Sequence, residues 1–252
     1  FANFNTLTGG SDIDSFALAG GTLSGALNGG VGNNSLTGDN VANTWTITGL
    51  DGGTVTGIGG GFTNIGNLTG GTNTDAFTLS GGTLSGALDG GAGINTLTAD
   101  NVANTWNVTG PRAGTVTGIG GGYSNIDNLI GGSGADTFTL NDGVVVAGAI
   151  DGGAGADTLD LSAYTTNRNV VVTASGVNGF SGTEGSVAGG FADIDAVTAP
   201  ASTVNGLQGE NLPNVWTISG TNSGTLNTGG NILAFANFNT LTGGSDIDSF
   251  AL

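Results

Sequence analysis

Apolar residues alternate with Thr, Ser, Asn or Gly in short bursts along the whole chain, as in TLSGAL at 22–27, TWTIT at 44–48 and GTVTGI at 53–58. A period of two sends successive side chains to opposite faces of a strand. Thr, Val, Ile, Phe and Trp also favour strands. Gly, Asn and Asp crowd the segments between bursts, where corners need positive φ. No stretch carries the period of an amphipathic helix, and the abundance of Gly opposes long helices. No apolar run approaches the roughly 18 residues that span a membrane as a helix.

The bursts recur at fixed spacing. FANFNTLTGGSDIDSFAL occupies 1–18 and returns without change at 235–252. The sequence therefore divides into one 234-residue tandem unit, 1–234, and the start of the next identical unit, 235–252. Phe1, Phe62, Tyr123 and Phe191 open four sub-blocks, 1–61, 62–122, 123–190 and 191–234. Within a block, Gly-Gly pairs recur at a nearly constant interval, as at 9–10 and 29–30 or 131–132 and 152–153. These spacings predict rungs of about 20 residues, some eleven per unit.

Stacked rungs bring like residues together in columns. Leu7, Leu27, Leu68, Leu88, Leu129 and Ile150 stand two residues before a Gly-Gly pair. Phe16, Leu36, Phe77, Leu97, Phe138 and Leu159 stand six after it, and Trp45, Trp106 and Trp216 suggest a third column. Such columns are the core of an all-β fold, a right-handed parallel β-solenoid (β-helix). At about 4.8 Å per rung, eleven rungs advance roughly 50 Å.

Composition narrows the function. The chain has 53 Gly, 17 Asp, 2 Glu and two cations, Arg112 and Arg168, for a net charge of −17. Without a basic patch, nucleic acid is excluded as a partner, and anionic membrane surfaces are disfavoured. An acidic, Lys-free surface suits a saline or calcium-rich exterior, where cations screen self-repulsion. With no Cys, His or Lys, there is no thiolate, usual catalytic triad, zinc centre or Schiff-base amine. Paired carboxylates such as Asp12 and Asp14 sit on short corners with no basic residue nearby. The expectation is that the chain is not an enzyme.

Three further motifs have structural readings. Asn43, Asn104 and Asn214 precede the Trp residues by two positions, which suits a capped bend beside a buried ring better than a sugar contact. Thr-x-Thr recurs at Thr46/Thr48, Thr54/Thr56 and Thr137/Thr139, at different phases of the rung. That argues against the continuous Thr face of an ice-binding solenoid. The sequons at Asn33, Asn67 and Asn107 are weak in a chain so rich in Asn, Ser and Thr.

The Gly-Gly segments resemble the calcium-binding nonapeptide of RTX proteins, G-G-x-G-x-D-x-U-x, with U a large apolar residue. GGSGADTFT at 131–139 and GGAGADTLD at 152–160 match in full, whereas GGVGNNSLT and GGAGINTLT replace the Asp by Asn34 and Asn95. The resemblance implies calcium held by Asp136, Asp157 and the backbone of Gly132, Gly134, Gly153 and Gly155, with hard oxygen donors. Calcium is the one cofactor it suggests, and the fold requires none. The nonapeptide here comes once per rung and skips every third rung, unlike an RTX roll. Residue by residue, the same segments read equally as tight corners held by Asx side chains.

Phrases such as GGSGADTFTL, NVANTW and GTVTGIGGG make the whole chain similar to the strand repeats of giant bacterial surface proteins, the filamentous-haemagglutinin-like and RTX-type adhesins. That resemblance implies a secreted, cell-surface or extracellular filament or stalk. Its partners would be further copies of the repeat, in one chain or end to end, and neighbouring filaments or surface glycans. The rival readings are a calcium-dependent binding module and an ice- or carbohydrate-binding face.

Overall fold

The computed structural model describes residues 4–252; Phe1, which opens the first block, lies outside them. Among the described residues every regular element is a strand, and the strands form two long, mostly parallel sheets of 14 strands each.

The chain crosses between the sheets at nearly every turn. In block one, β1 (Leu7–Thr8) lies in the first sheet, β2 (Ser15–Ala17) in the second, β3 (Leu27–Asn28) in the first and β4 (Ser35–Thr37) in the second. Three strands then follow in the first sheet alone: β5 (Thr44–Gly49), β6 (Gly52–Val55) and β7 (Ile58–Thr63), an antiparallel meander. Block two repeats this order from the opposite sheet. It runs β8 (Asn67–Gly71), β9 (Ala76–Leu79), β10 (Leu88–Gly91) and β11 (Thr96–Thr98), then β12 (Thr105–Gly110), β13 (Ala113–Val116) and β14 (Ile119–Ser124) together in the second sheet.

Block three starts again in the first sheet, with β15 (Asn128–Gly132), β16 (Thr137–Leu140), β17 (Ile150–Gly153) and β18 (Thr158–Asp160). Its meander is β19 (Asn169–Gly176), β20 (Gly179–Glu184) and β21 (Val187–Ile194). Block four is shorter. It has β22 (Ala196–Thr198), β23 (Gly206–Gln208) and a meander of β24 (Asn214–Gly220), β25 (Ser223–Thr228) and β26 (Asn231–Ala236). The returning phrase supplies β27 (Thr240–Thr242) and β28 (Ser249–Ala251), one strand to each sheet, so thirteen strands of each sheet belong to one unit.

The rung count differs from the sequence expectation. The last "rung" of each block is the meander. A unit therefore has nine coils of two segments each, four of those segments being meanders, rather than eleven equal rungs. Parallel partners are accordingly close in sequence where coils stack directly, as Leu7 on Leu27, and farther apart across a meander, as Trp45 on Phe77.

By internal contact the chain divides into two compact units, Phe1–Asn101 with Arg112–Asn128, and Val102–Pro111 with Leu129–Leu252. In the first, Leu7, Leu27 and Phe62 stack in one sheet, and Trp45, Phe77 and Leu97 form a second ladder there. Phe16, Leu36, Leu68, Leu88 and Tyr123 form a ladder in the other sheet. In the second unit, Leu129, Ile150 and Phe191 stack in one sheet, and Trp106, Phe138, Leu159, Val197 and Phe235 in the other. Trp216 pairs with Phe250.

The expected columns are thus recombined. Leu36 stacks directly on Leu68, which merges the residues before Gly-Gly with those after it. Trp45 lies in the first sheet, whereas Trp106 and Trp216 lie in the second. The cause is parity: counting a meander as one segment, blocks one to three have five segments and block four has three. An odd number hands the equivalent residue of the next block to the opposite sheet.

The ladder residues from Leu27 to Trp216 are buried, but Leu7 is 42% exposed and Phe16 half-buried, because β1 and β2 each pair on one side only. Full burial of one such side chain stabilises by about 1.5–3 kcal/mol. Trp45 lies face to face with Phe77 (5.5 Å, 15°) and edge-on to Phe62 (6.0 Å, 69°). The middle strand of each meander sets a Gly opposite an aromatic residue: Gly53 opposite Phe62, Gly114 opposite Tyr123, Gly182 opposite Phe191 and Gly224 opposite Phe235. A Cβ on Gly224 would come within 3.0 Å of the Phe235 ring, so the ring takes the space that the missing side chain leaves.

Candidate functional site: the Asx corner columns

The corners between strands carry most of the buried polar groups of the described residues. Asn34, Asp75, Asn95, Asp136 and Asp157, which close five of the Gly-Gly-x-x-x-Asx corners, are fully enclosed. Each accepts, through a side-chain oxygen, the backbone N–H of the Asx one layer earlier. In the first unit, Asn43 N–H donates to Asp75 Oδ1, Asp75 N–H to Asn95 Oδ1 and Asn95 N–H to Asp127 Oδ2, each at 2.8 Å. In the second, Asn104 N–H donates to Asp136 Oδ1 (2.7 Å), Asp136 N–H to Asp157 Oδ1 (2.7 Å) and Asp157 N–H to Asp195 Oδ2 (2.9 Å). Asn214 on Asp248 and Asn205 on Asn239 repeat the contact. A corner N–H has no strand partner, so this bond saves a desolvation cost of about 1–3 kcal/mol per layer.

The Asn residues do more. Asn34 Nδ2 donates to the carbonyls of Gly30, Gly32 and Asn64, and Asn95 Nδ2 to those of Gly91, Ala92 and Asn125. The amide thus plugs a nest of carbonyl oxygens inside the corner. Asn43 and Asn214 plug the bends before Trp45 and Trp216 in the same way, at 2.8–2.9 Å. The Trp rings themselves are wholly enclosed and closed to any sugar.

In block three the ladder is Asp136, Asp157, Asp195. One oxygen of each accepts the N–H just described, while Oδ2 of Asp136 and Oδ2 of Asp157 are buried without a partner. Burial pushes Asp157 up to about 7; the N–H of Asp136 lowers it, and the carboxylates of Asp136, Asp195 and Asp193 raise it further. Burial also raises Asp136, opposed by two bonds from Asn104, and raises Asp195, opposed by the N–H of Asp157. In the first unit, Asp127 ends its column on Arg112, with N···O of 2.5 Å.

A calcium cage needs six to eight oxygens, and Oδ2 of Asp136 and Oδ2 of Asp157 are the carboxylate oxygens not committed to a hydrogen bond. Oδ1 of both Asp136 and Asp157 is committed to backbone N–H groups. Gly132 and Gly153 face each other in the parallel pair β15–β17, and the Gly132 carbonyl accepts the N–H of Ala154 at 2.9 Å. Gly155, at φ +130°, leaves no room for a Cβ against the Gly134 carbonyl, so coil stacking alone requires these glycines. Among the described residues, no three Asp, Glu, His or Cys side chains stand together as a metal cluster.

Sequence reasoning singled out the Asp and Asn of the Gly-Gly corners but missed Asp127, Asp195, Asn205 and Asn239, whose corners lack Gly-Gly. The signal was present: Asn43, Asp75 and Asn95 follow one another at the same offsets as Trp45, Phe77 and Leu97 of the core ladder, and one further step of the series falls on Asp127. The Thr residues also differ from expectation. Thr54, Thr46, Thr78 and Thr98 stand side by side on β6, β5, β9 and β11, because the meander shifts their phase back into register. No protein-family model matches the chain, and no curated protein matches it.

Proposed function

We propose that the chain is a structural repeat of an extracellular filament or giant adhesin stalk, folded as a right-handed parallel β-solenoid interrupted by meanders. Right-handedness is what parallel crossovers adopt almost without exception. The observation that carries the reading is the seating of the second copy of the repeated phrase. Leu241 and Phe250, the copies of Leu7 and Phe16, stack on Leu207 and Trp216 in the same two sheets that hold the first copy. One unit therefore leads into the next with an unbroken ladder, which is how a chain gains length and stiffness. Electron microscopy of the native material tests it. A continuous fibre with an axial repeat of roughly 60 Å, thirteen strand spacings of about 4.8 Å, is expected; isolated globules would overturn it.

The Thr ladder on β6, β5, β9 and β11 supports a second reading, an ice- or carbohydrate-binding face. A thermal-hysteresis assay and a glycan array test it, and activity in neither removes it.

A further inference from the structure

Block three departs from the repeat at the centre of its meander, and the departure lines a recess. In blocks one and four a Trp faces a buried aliphatic residue across the first hairpin of the meander, Trp45 opposite Val55 and Trp216 opposite Leu226. Trp106 and Val116 hold the same places in the sequence of block two. In block three Val170 faces Glu184 instead. Phe77, Phe138 and Phe250 pair with the three Trp residues, whereas Leu207 pairs with Val170. Asn43, Asn104 and Asn214 stand two residues before each Trp; Arg168 stands two before Val170. Its backbone N–H still donates to the next layer, to Asn205 Oδ1 at 2.9 Å, so the positions are equivalent in the fold.

The substituted pair is buried and engaged. Glu184 is 5% exposed. Its Oε1 lies 3.4 Å from Arg168 Nη1, and its Oε2 accepts the N–H of Ser186 at 2.7 Å and the Ser186 hydroxyl. The Arg168 guanidinium lies 4.4 Å over the ring of Tyr164. A buried ion pair stabilises no better than the apolar residues it replaces, so stability does not account for the exchange. A local break in an otherwise consistent pattern marks a functional site.

Two corners are also longer here. Two residues are added between Leu159 and Val170 relative to Leu36 and Trp45, and one between Phe138 and Ile150 relative to Phe77 and Leu88. The lengthened corners carry Tyr164 and Asp142, and the Tyr164 hydroxyl donates to the Val144 carbonyl, tying one corner to the other. Asp142, Tyr164, Thr166, Asn167, Arg168 and Glu184 line a recess of about 400 Å³. A second recess of about 390 Å³ shares Asn167 and Asn169 with it; Gln208, Thr240 and Thr242 line this one, and no charged side chain does.

We propose that the two adjoining recesses are a binding site for a neutral saccharide, separate from the Thr ladder on β6, β5, β9 and β11 and independent of the filament reading. Two carboxylates against one guanidinium, in a chain of net charge −17, oppose an anion. The guanidinium among them opposes a cation. Amides, hydroxyls, carboxylates and a guanidinium together offer both donors and acceptors, which is what sugar hydroxyls require. Val145, 45% exposed at the edge of the first recess, supplies apolar surface for the C–H face of a sugar ring. Each recess has the volume of a small-molecule site.

The test titrates the 252-residue chain with the methyl glycosides of glucose, galactose and mannose, and with lactose, and follows the backbone amides by NMR. Saturable shifts at 142–145, 164–170 and 184–185 with at least one of the four are expected. No shift there with any of them, or shifts there with sulfate or methylammonium alone, would overturn the proposal. The triple variant Arg168→Asn, Glu184→Val and Ser186→Gly gives block three the residues of block one at these places. It should keep its β circular dichroism and lose the shifts; shifts retained by the folded variant would sink the site. Asn167→Ala gives an answer that does not depend on how the triple variant folds, because Asn167 is an exposed residue shared by both recesses. It should weaken binding by roughly fivefold or more, as for one lost hydrogen bond, with the melting temperature unchanged. Unchanged affinity in Asn167→Ala also counts against the proposal.

Discussion

Phe138 lies face to face with Trp106, 5.4 Å between ring centres and 16° between planes, although the rest of a meander and a further strand separate them along the chain. Leu159 covers the other side of Phe138 from the next parallel strand. Phe138→Ala should cost about 3–5 kcal/mol, the usual penalty for an aromatic cavity in a packed core. Phe138→Asp should open the array locally. The outward neighbour Thr139→Ala should stay within about 0.5 kcal/mol. Urea unfolding of the three variants checks the order, and an unaffected Phe138→Asp would remove the ladder as a source of stability.

Asn95 holds both an N–H of the layer before and the carbonyl nest of its own corner. Asn95→Ala leaves the buried N–H of Asp75 without its acceptor and should cost about 1–3 kcal/mol. Asn95→Asp should be tolerated in acid and should weaken as pH rises. Chemical denaturation of both variants at pH 5 and pH 8 measures this.

Gly155 and Gly143 both have positive φ, at +130° and +76°, but a Cβ on Gly143 would meet nothing within 4 Å. Gly143→Ala should cost only the conformational strain, about 1–2 kcal/mol. Gly155→Ala should cost clearly more, because its methyl group must displace the Gly134 backbone. Melting temperatures of the pair separate strain from steric overlap.

Deleting residues 62–122 joins Gly61 to Tyr123, a joint of the kind already present between Gly61 and Phe62. In a repeat protein, stability is close to a sum of local and neighbour terms, so the shortened chain should keep its β circular dichroism and a cooperative melt. A shortened chain that no longer folds would mean that the blocks are not interchangeable modules.

The strands, the corners and most of the core were legible because period-two alternation and the Leu-x-Gly-Gly spacing report directly on burial and turns. The meanders were not. Trp45 and Ile47 alternate inward whether the neighbouring strand runs parallel or antiparallel, and each long block divides evenly into three parts that conceal three strands folded in one sheet. The turn residues carried the missing signal: Asp51-Gly52 and Asn178-Gly179 are hairpin pairs, and both stand at the first bend of a meander. The acidic corner was half legible. The Asp residues at 157 and 193 stand out in the sequence, but only the folded corners show that they occupy positions equivalent to Asn34 and Asn64.

Odd parity hands the equivalent residues of each block to the opposite sheet, and the segments of one unit together make an even number, so the second copy of the phrase returns to the two sheets that hold the first. The period of the sequence and the period of the sheets therefore coincide at one unit. A change of segment number in one block would have to be matched in another for the next copy to keep its sheets.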